Sequence, residues 1–359
     1  MTTLSTAGSA LLYLSVFGLS SLCIAWKDRV TIGNRKKPMI FIVFGLILPV
    51  LLAAYRVNVG SDYSNYLWTY KRASSFPISQ LTSNYSFMSS TPIGMILVAK
   101  LASIFGSEKV FFGMLAVLSL LPFLIFICKN EDIEHKGIAT FLYLLTNFST
   151  GFNTTKQIIA INIVLLGLEA VYHRKLIRFF LAIICAAFFH QTAIVAFPIY
   201  FLLDKNGSIS TGKRLVAIIV AFYGLVLFDN ILVSLGGRWA DYAYSSGTSN
   251  LTFFLNFGWL IIFLLCRRPL IQKSYRNEMS LILFAVGTVF TLLGFWSVFG
   301  KRIASYYTVV GILLMAQLPN IVSKNSKRGV EILVVIYAVA MFILSAVIRG
   351  QAGLIPYSF

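Results

Sequence analysis

Long runs without one charged side chain dominate this chain. Ala10 to Trp26 carries no charge, and neither does Met39 to Tyr55. Each run approaches the ~17–25 residues that cross ~30 Å of hydrocarbon at ~1.5 Å per residue. Lipid offers no partner to backbone N–H and C=O groups, so a spanning segment must satisfy them internally, and helices do so. Only 12% of the 359 residues are charged, about half the ~25% of soluble domains. The expected fold class is therefore all-α: a polytopic membrane helical bundle. No linker, low-complexity tract or charge-rich tail interrupts it, so 1–359 reads as a single membrane-embedded domain. The first run has no basic stretch before it and several basic residues after it, which reads as a retained span rather than a cleaved signal peptide.

Full spans are expected near 8–26, 39–55, 110–128, 137–152, 157–172, 215–235, 252–266, 279–298, 303–321 and 330–348. The loops 27–38, 129–136, 173–178, 204–214, 267–278 and 323–328 carry 20 of the chain's 30 Lys and Arg. By the positive-inside rule these six face the cytoplasm. Parity then constrains two ambiguous stretches. Residues 91–106 must not cross fully and become a re-entrant or interfacial helix. Residues 179–203 must enter and return as a hairpin, with His190 near its outer tip. About twelve crossings result, with both termini outside and 56–91 as the main extracytoplasmic loop. The net charge of +18 is spread over these short loops. It suits anionic membrane lipids and excludes nucleic acid as a partner. Cys23, Cys128, Cys185 and Cys266 lie in or at the ends of apolar runs, with no CxxC spacing and no histidine cluster, so neither a metal site nor a disulfide framework is expected.

The outer face breaks the charge rule. Arg56, Lys156, Arg238, Lys301 and Arg302 sit at expected outer span ends. Any one alone is an ordinary snorkelling anchor. Five on one face suggest an anion site, and phosphate or diphosphate fits Arg and Lys chemistry. After Arg56 comes Gly60, which permits a sharp turn that could bring Asp62 back near Arg56. Tyr63, Tyr66, Trp68 and Tyr70 follow, as an interfacial belt or as faces on which sugar rings stack. Gly237-Arg238-Trp239-Ala240-Asp241 repeats the mixture. His190 lies inside an otherwise apolar segment. An ionisable group there is expensive and hence a functional candidate, and imidazole suits proton transfer near neutrality. The bland reading is a neutral histidine bonded between helices. No Walker A, HExxH or GxSxG sequence occurs, which argues against an ATPase, a zinc protease or a serine hydrolase of known type. Outer-face acids are isolated, so a paired-carboxylate metal site is not evident and no cofactor is expected.

Three motifs occur in order: Arg56-x-x-x-Gly60-x-Asp62-Tyr63; Lys156-Gln157-x-x-Ala160 followed by Phe188-Phe189-His190-Gln191-Thr192-Ala193; and Lys301-Arg302-x-x-x-Tyr306-Tyr307. Together they resemble the EpsG/Wzy-type polysaccharide polymerases of bacterial envelopes, from about residue 50 to 310. The family usually has Arg before Gln in the second motif; Lys156 keeps the charge but loses the bidentate fork. The resemblance implies a GT-C-like bundle in the bacterial cytoplasmic (inner) membrane, with its active site on the extracytoplasmic side. It implies a polyprenyl-diphosphate-linked oligosaccharide as substrate, with a chain-length regulator and a flippase as possible partners. The expected reaction moves a growing glycan from its carrier onto an incoming lipid-linked repeat unit without a metal. His190 or Asp62 would take the proton. Arg56, Arg302, Lys156, Arg238 and Lys301 would face the diphosphate. Tyr63, Gln157, Trp239, Asp241 and Tyr306 would contact the glycan. The alternatives are a lipid-linked oligosaccharide flippase, which should show internal repeats and deeper cations, and a membrane acyltransferase using a lone histidine.

Overall fold

The computed structural model describes residues 2–27, 31–32, 35–36, 39–84, 91–202, 251–295 and 298–359, with isolated positions between 210 and 219. The expected span 215–235 and the Gly237–Tyr242 loop lie outside the described residues. The rest is overwhelmingly helical, apart from a two-residue ladder that pairs Thr31–Ile32 with Arg35–Lys36. Numbered among the described residues, the helices begin with α1 (Thr6–Trp26), α2 (Met39–Tyr55), α3 (Tyr63–Ser75), α4 (Ile78–Ser83), α5 (Ile93–Ser103) and α6 (Glu108–Lys129). Next come α7 (Lys136–Tyr143), α8 (Thr155–Tyr172), α9 (Leu176–Ala187) and a 3-10 helix, Gln191–Leu202. The series ends with α10 (Leu251–Leu265), α11 (Arg267–Lys273), α12 (Tyr275–Leu293), α13 (Val298–Thr308), α14 (Gly311–Gln317) and α15 (Lys324–Phe342). Several are apolar and long, as in a multi-pass membrane protein. Four stretches reach spanning length by themselves: α1, α6, α8 and Lys324–Ile348.

The other expected spans depart from single straight helices for local reasons. Residues 137–152 run from α7 into a π-turn, Leu144–Phe148, and a 3-10 turn, Thr150–Phe152. There Thr146, Ser149 and Thr150 donate their hydroxyls to carbonyls four residues back, a competition that distorts helices. Residues 303–321 are interrupted between α13 and α14, where Thr308, Val309 and Val310 precede Gly311, all poor helix formers. α10 meets α11 at a 72° bend at Cys266. α5 has 11 residues, about 16 Å at 1.5 Å per residue, too short to cross.

The chain groups into two compact units. The first holds Met1–Ile163, Phe188–His190 and Lys324–Phe359. In it α1 packs on α2 and α7, α2 on α6, and α5 on both α3 and α6. Tyr13 and Phe17 of α1 meet Phe148, Phe152, Phe342 and Tyr357 ring to ring. Hydrogen bonds between helices supplement this apolar packing, as lipid-embedded bundles require. Ser20 donates to the Gly45 carbonyl at 2.5 Å, and Tyr143 and Asn162 both donate to the Ser119 carbonyl at 2.6 Å.

The second unit holds Val164–Ala187 and Gln191–Ser323. α12 is its hub, packing on α10, α11 and α13. α9 and the 3-10 helix lie against each other as a hairpin. Arg174 before α9 donates to the Tyr200 carbonyl at 2.8 Å, Tyr200 returns its hydroxyl to the Arg174 carbonyl at 3.0 Å, and Phe179 stacks on Tyr200. Residues 188–190 form the tip, so the 179–203 segment turns back as its sequence predicts. Two ion pairs, Arg276 to Glu169 at 3.0 Å and Arg267 to Glu278 at 3.1 Å, tie together basic segments of this unit.

Candidate active site

The apolar run of α2 ends at Tyr55, and the next residue, Arg56, is only 4% exposed. Its guanidinium lies 4.0 Å from the centre of the Phe152 ring and 4.9 Å from that of Phe112, a cation–π arrangement that partly replaces hydration. Burial lowers its pKa to about 10, against the pull of Tyr13, Tyr66, Tyr63 and Tyr357, so it stays a cation at neutral pH. Burial also pushes the Tyr66 and Tyr357 hydroxyls up to about 12, so neither supplies a negative charge. Among the described residues no carboxylate contributes to the field on Arg56, and none bonds to its Nε. A small cavity bounded by Arg56, Phe112, Ser119, Phe152 and Thr155 has room for about one water-sized molecule. A buried cation with rings but no anion around it is unusual, because its desolvation is left unbalanced.

Beyond Arg56 the chain turns sharply. Gly60 has φ +98°, and a Cβ there would stand 2.9 Å from Asn153 Oδ1. Asp62 then caps α3, yet its carboxylate makes no capping bond. Its main-chain N–H reaches Asn153 Oδ1 at 3.4 Å. The sequence suggests that Asp62 folds back onto Arg56; no ion pair forms between them, because the turn leads the carboxylate into the half-exposed start of α3.

The aromatic residues that follow belong to a helix, and its period sorts them. Tyr63, Tyr66, Tyr70 and Ala73 fall on one buried face. Tyr63 stacks on Phe112 at 4.7 Å, Tyr70 on Phe111 at 5.4 Å, and Tyr66 donates to the Asn153 carbonyl at 2.8 Å. Trp68 points the other way, 49% exposed, with the Arg72 guanidinium 5.4 Å from its ring. Tyr63, expected on the glycan, is buried against Phe112, a ring that lines the Arg56 pocket.

Lys156 and Gln157 open α8 three and four residues after Asn153; Lys156 is half-buried and Gln157 buried. His190 is half-buried at the hairpin tip. The tip is docked on α5: Gly94 N–H donates to the Phe188 carbonyl at 2.9 Å. A Cβ on Gly94 would meet that oxygen and the Phe189 ring at 2.9 Å. Phe189 packs on the cluster that contains Tyr63 and Phe112. One unit therefore holds Arg56, Asp62, Lys156, Gln157 and His190, and Arg56, Tyr63 and Phe189 all meet the cluster around Phe112.

Lys301, Arg302 and Tyr306 belong to the second unit. Lys301 lays its stem over Gly294, within 2.6 Å of where a Cβ would stand. Tyr306 is 2% exposed, its hydroxyl 3.1 Å from Thr192 Oγ1. Tyr307 donates to the Val195 carbonyl at 2.5 Å. Both tyrosines hold the 3-10 helix that begins right after His190. Tyr306, expected on the glycan, thus sits inside the protein. Arg238, Trp239 and Asp241 lie outside the described residues.

Sequence reading missed two contributors. Asn153 is polar and close to Lys156, which is a faint signal. Segment 350–359 gives none. Yet Val57, Gly60 and Ser61 N–H groups donate to the carbonyls of Ser358, Gly353 and Ala352 at 2.8, 2.8 and 3.2 Å. The Tyr357 hydroxyl donates to the Leu52 carbonyl at 2.7 Å.

The model of the EpsG family matches residues 39–359. Neither a curated protein nor a solved structure gives a match.

Proposed function

The chain belongs to the EpsG family, and from that premise we propose that it is a polysaccharide polymerase of the bacterial cytoplasmic membrane. It transfers a growing glycan from a polyprenyl diphosphate carrier onto an incoming lipid-linked repeat unit, in a GT-C-like helical bundle with the site facing outward. The observation that carries this reading is Arg56, a buried cation surrounded by rings and neutral hydroxyls. Such a charge is tolerable when its partner is an anion that comes and goes.

In the proposed step, an acceptor sugar hydroxyl attacks the anomeric carbon of the donor glycan. The new C–O bond forms as the bond to the carrier diphosphate breaks, and the electron pair leaves with the diphosphate. The hydroxyl proton passes to His190 or Asp62. Cations stabilise the leaving charge, an effect worth ~3–4 kcal/mol per key donor. Arg56 and, in the second unit, Arg302 are the first choices, followed by Lys156, Arg238 and Lys301. Gln157, Trp239 and Asp241 remain proposed glycan contacts. Tyr63 and Tyr306, buried against Phe112 and Thr192, would act on the glycan through the neighbours they place.

Purified protein in detergent, given synthetic lipid-linked repeat units, should yield a ladder of longer products. A liposome version reads transport. Movement without lengthening would make the chain a flippase, and acyl incorporation would make it an acyltransferase; either result displaces the polymerase reading.

A further inference from the structure

We propose that Asn153 is a positioning residue that locks the Arg56–Asp62 turn to segment 350–359, so that this segment belongs to the active-site framework. The inference rests on the polymerase reading for its catalytic consequence, but not for the coupling itself. Asn153 uses both ends of its amide and its own carbonyl. Nδ2 donates to the Ala352 carbonyl at 2.8 Å. Oδ1 accepts from the Asp62 N–H at 3.4 Å and faces the bare Cα of Gly60. The Asn153 carbonyl accepts from Tyr66.

Both strands that it joins are held in left-handed backbone. Asn58 and Gly60 have φ of 54° and 98°; Gly350, Ala352 and Gly353 have φ of 58°, 69° and 58°. Gly and Asn adopt this region readily, but alanine does so at a cost. The strained residue is the one whose carbonyl takes two donors, Asn153 Nδ2 and the Ser61 N–H. Local strain of this kind persists where surrounding contacts over-determine it. Here the contacts aim one oxygen at the turn that carries Arg56 and Asp62. Lys156 and Gln157 lie just beyond Asn153 in the chain, so the same residue relates two of the three motifs.

Hydrogen exchange on the purified full chain in detergent tests the coupling directly. The amides of Val57, Gly60 and Ser61 bond to segment 350–359 and report on it. In Asn153→Ala they should exchange at least ~10-fold faster, while α12 keeps its protection. Asn153→Asp keeps the size and the acceptor but lacks the donor. It should loosen the same amides and cut lengthening of a synthetic lipid-linked repeat unit by ~10²-fold, the loss typical of a site misplaced by about 1 Å. Lowering the pH towards the carboxyl range, about 4 for Asp, protonates that side chain and restores a donor. Protection of the 57–61 amides in the Asp variant should then recover relative to wild type, a trend that lost packing does not produce. Unchanged exchange at 57–61 in both variants overturns the proposal. So does loss of protection that spreads to α12 in both, which would make Asn153 an ordinary packing residue. A wild type that makes no ladder while the 57–61 amides respond as expected would remove the polymerase reading and leave the coupling standing.

Discussion

At the residue scale, Arg56 and His190 make opposite demands. Arg56 is a buried charge with no carboxylate partner among the described residues, so the folded protein holds it at a cost. Replacing such a cation by an apolar side chain of similar shape is often neutral or stabilising by ~1–4 kcal/mol. Arg56→Met should therefore accumulate normally, melt at or above the wild-type temperature in detergent, and lose ~10²–10³ of polymerisation, the usual cost of one lost electrostatic donor. A drop in melting temperature with activity retained would make Arg56 a structural clamp. His190→Gln should lose ~10²–10⁴ if imidazole is the base, because glutamine keeps hydrogen bonding but takes no proton. Wild-type activity would then rise with pH across the imidazole titration. A falling limb would make His190 a cation for the diphosphate, and full activity in the Gln variant would shift the base to Asp62. The motif residues are legible because their types are out of place in an apolar run. Asn153 is not, since its partner Ala352 is 199 residues away.

At the element scale, the hairpin tip is the instructive case. A histidine midway along a segment too short for two full spans and generous for one predicts the turn between α9 and the 3-10 helix. What the sequence does not convey is that the tip rests on α5. That contact has two parts: the bond from the Gly94 N–H to the Phe188 carbonyl, and the room left by the missing Cβ at Gly94. Gly94→Ala places a methyl 2.9 Å from a backbone oxygen and a ring, so the tip must shift. We expect destabilisation of ~1–3 kcal/mol, as for other overpacked sites, read by thermal melting, together with a larger fractional loss of polymer than of protein. Equal losses would mean that the tip's placement does not matter to the reaction. α3 shows the converse error. Its tyrosines look like a belt or a sugar platform as a loop, and only the helical period reveals that Tyr63, Tyr66 and Tyr70 face inward.

At the scale of the whole molecule, backbone bonds constrain the topology. Leu4 N–H bonds to the Tyr357 carbonyl, Val57 N–H to that of Ser358, and Asn153 Nδ2 to that of Ala352. Residues 4, 57, 153 and 352 therefore lie close together, as a topology with all four on one side of the membrane requires. The charge pattern of the sequence places all four on the outer side. It assigns residues 27–38 to the cytoplasm and 56–90 to the outside. In a variant lacking native cysteines, Ser75→Cys should react with an impermeant thiol reagent in intact cells and Thr31→Cys should not. The reverse pattern would invert the whole arrangement. The pairing of residues 57–61 with 352–358 also has a consequence in time. A ribosome makes the turn early and its clamp some 290 residues later. The helices between the two can enter the bilayer before the turn is held. A nascent chain stalled before residue 352 would carry the turn without the segment that holds it, so the turn sets only after the helices between the two have been made.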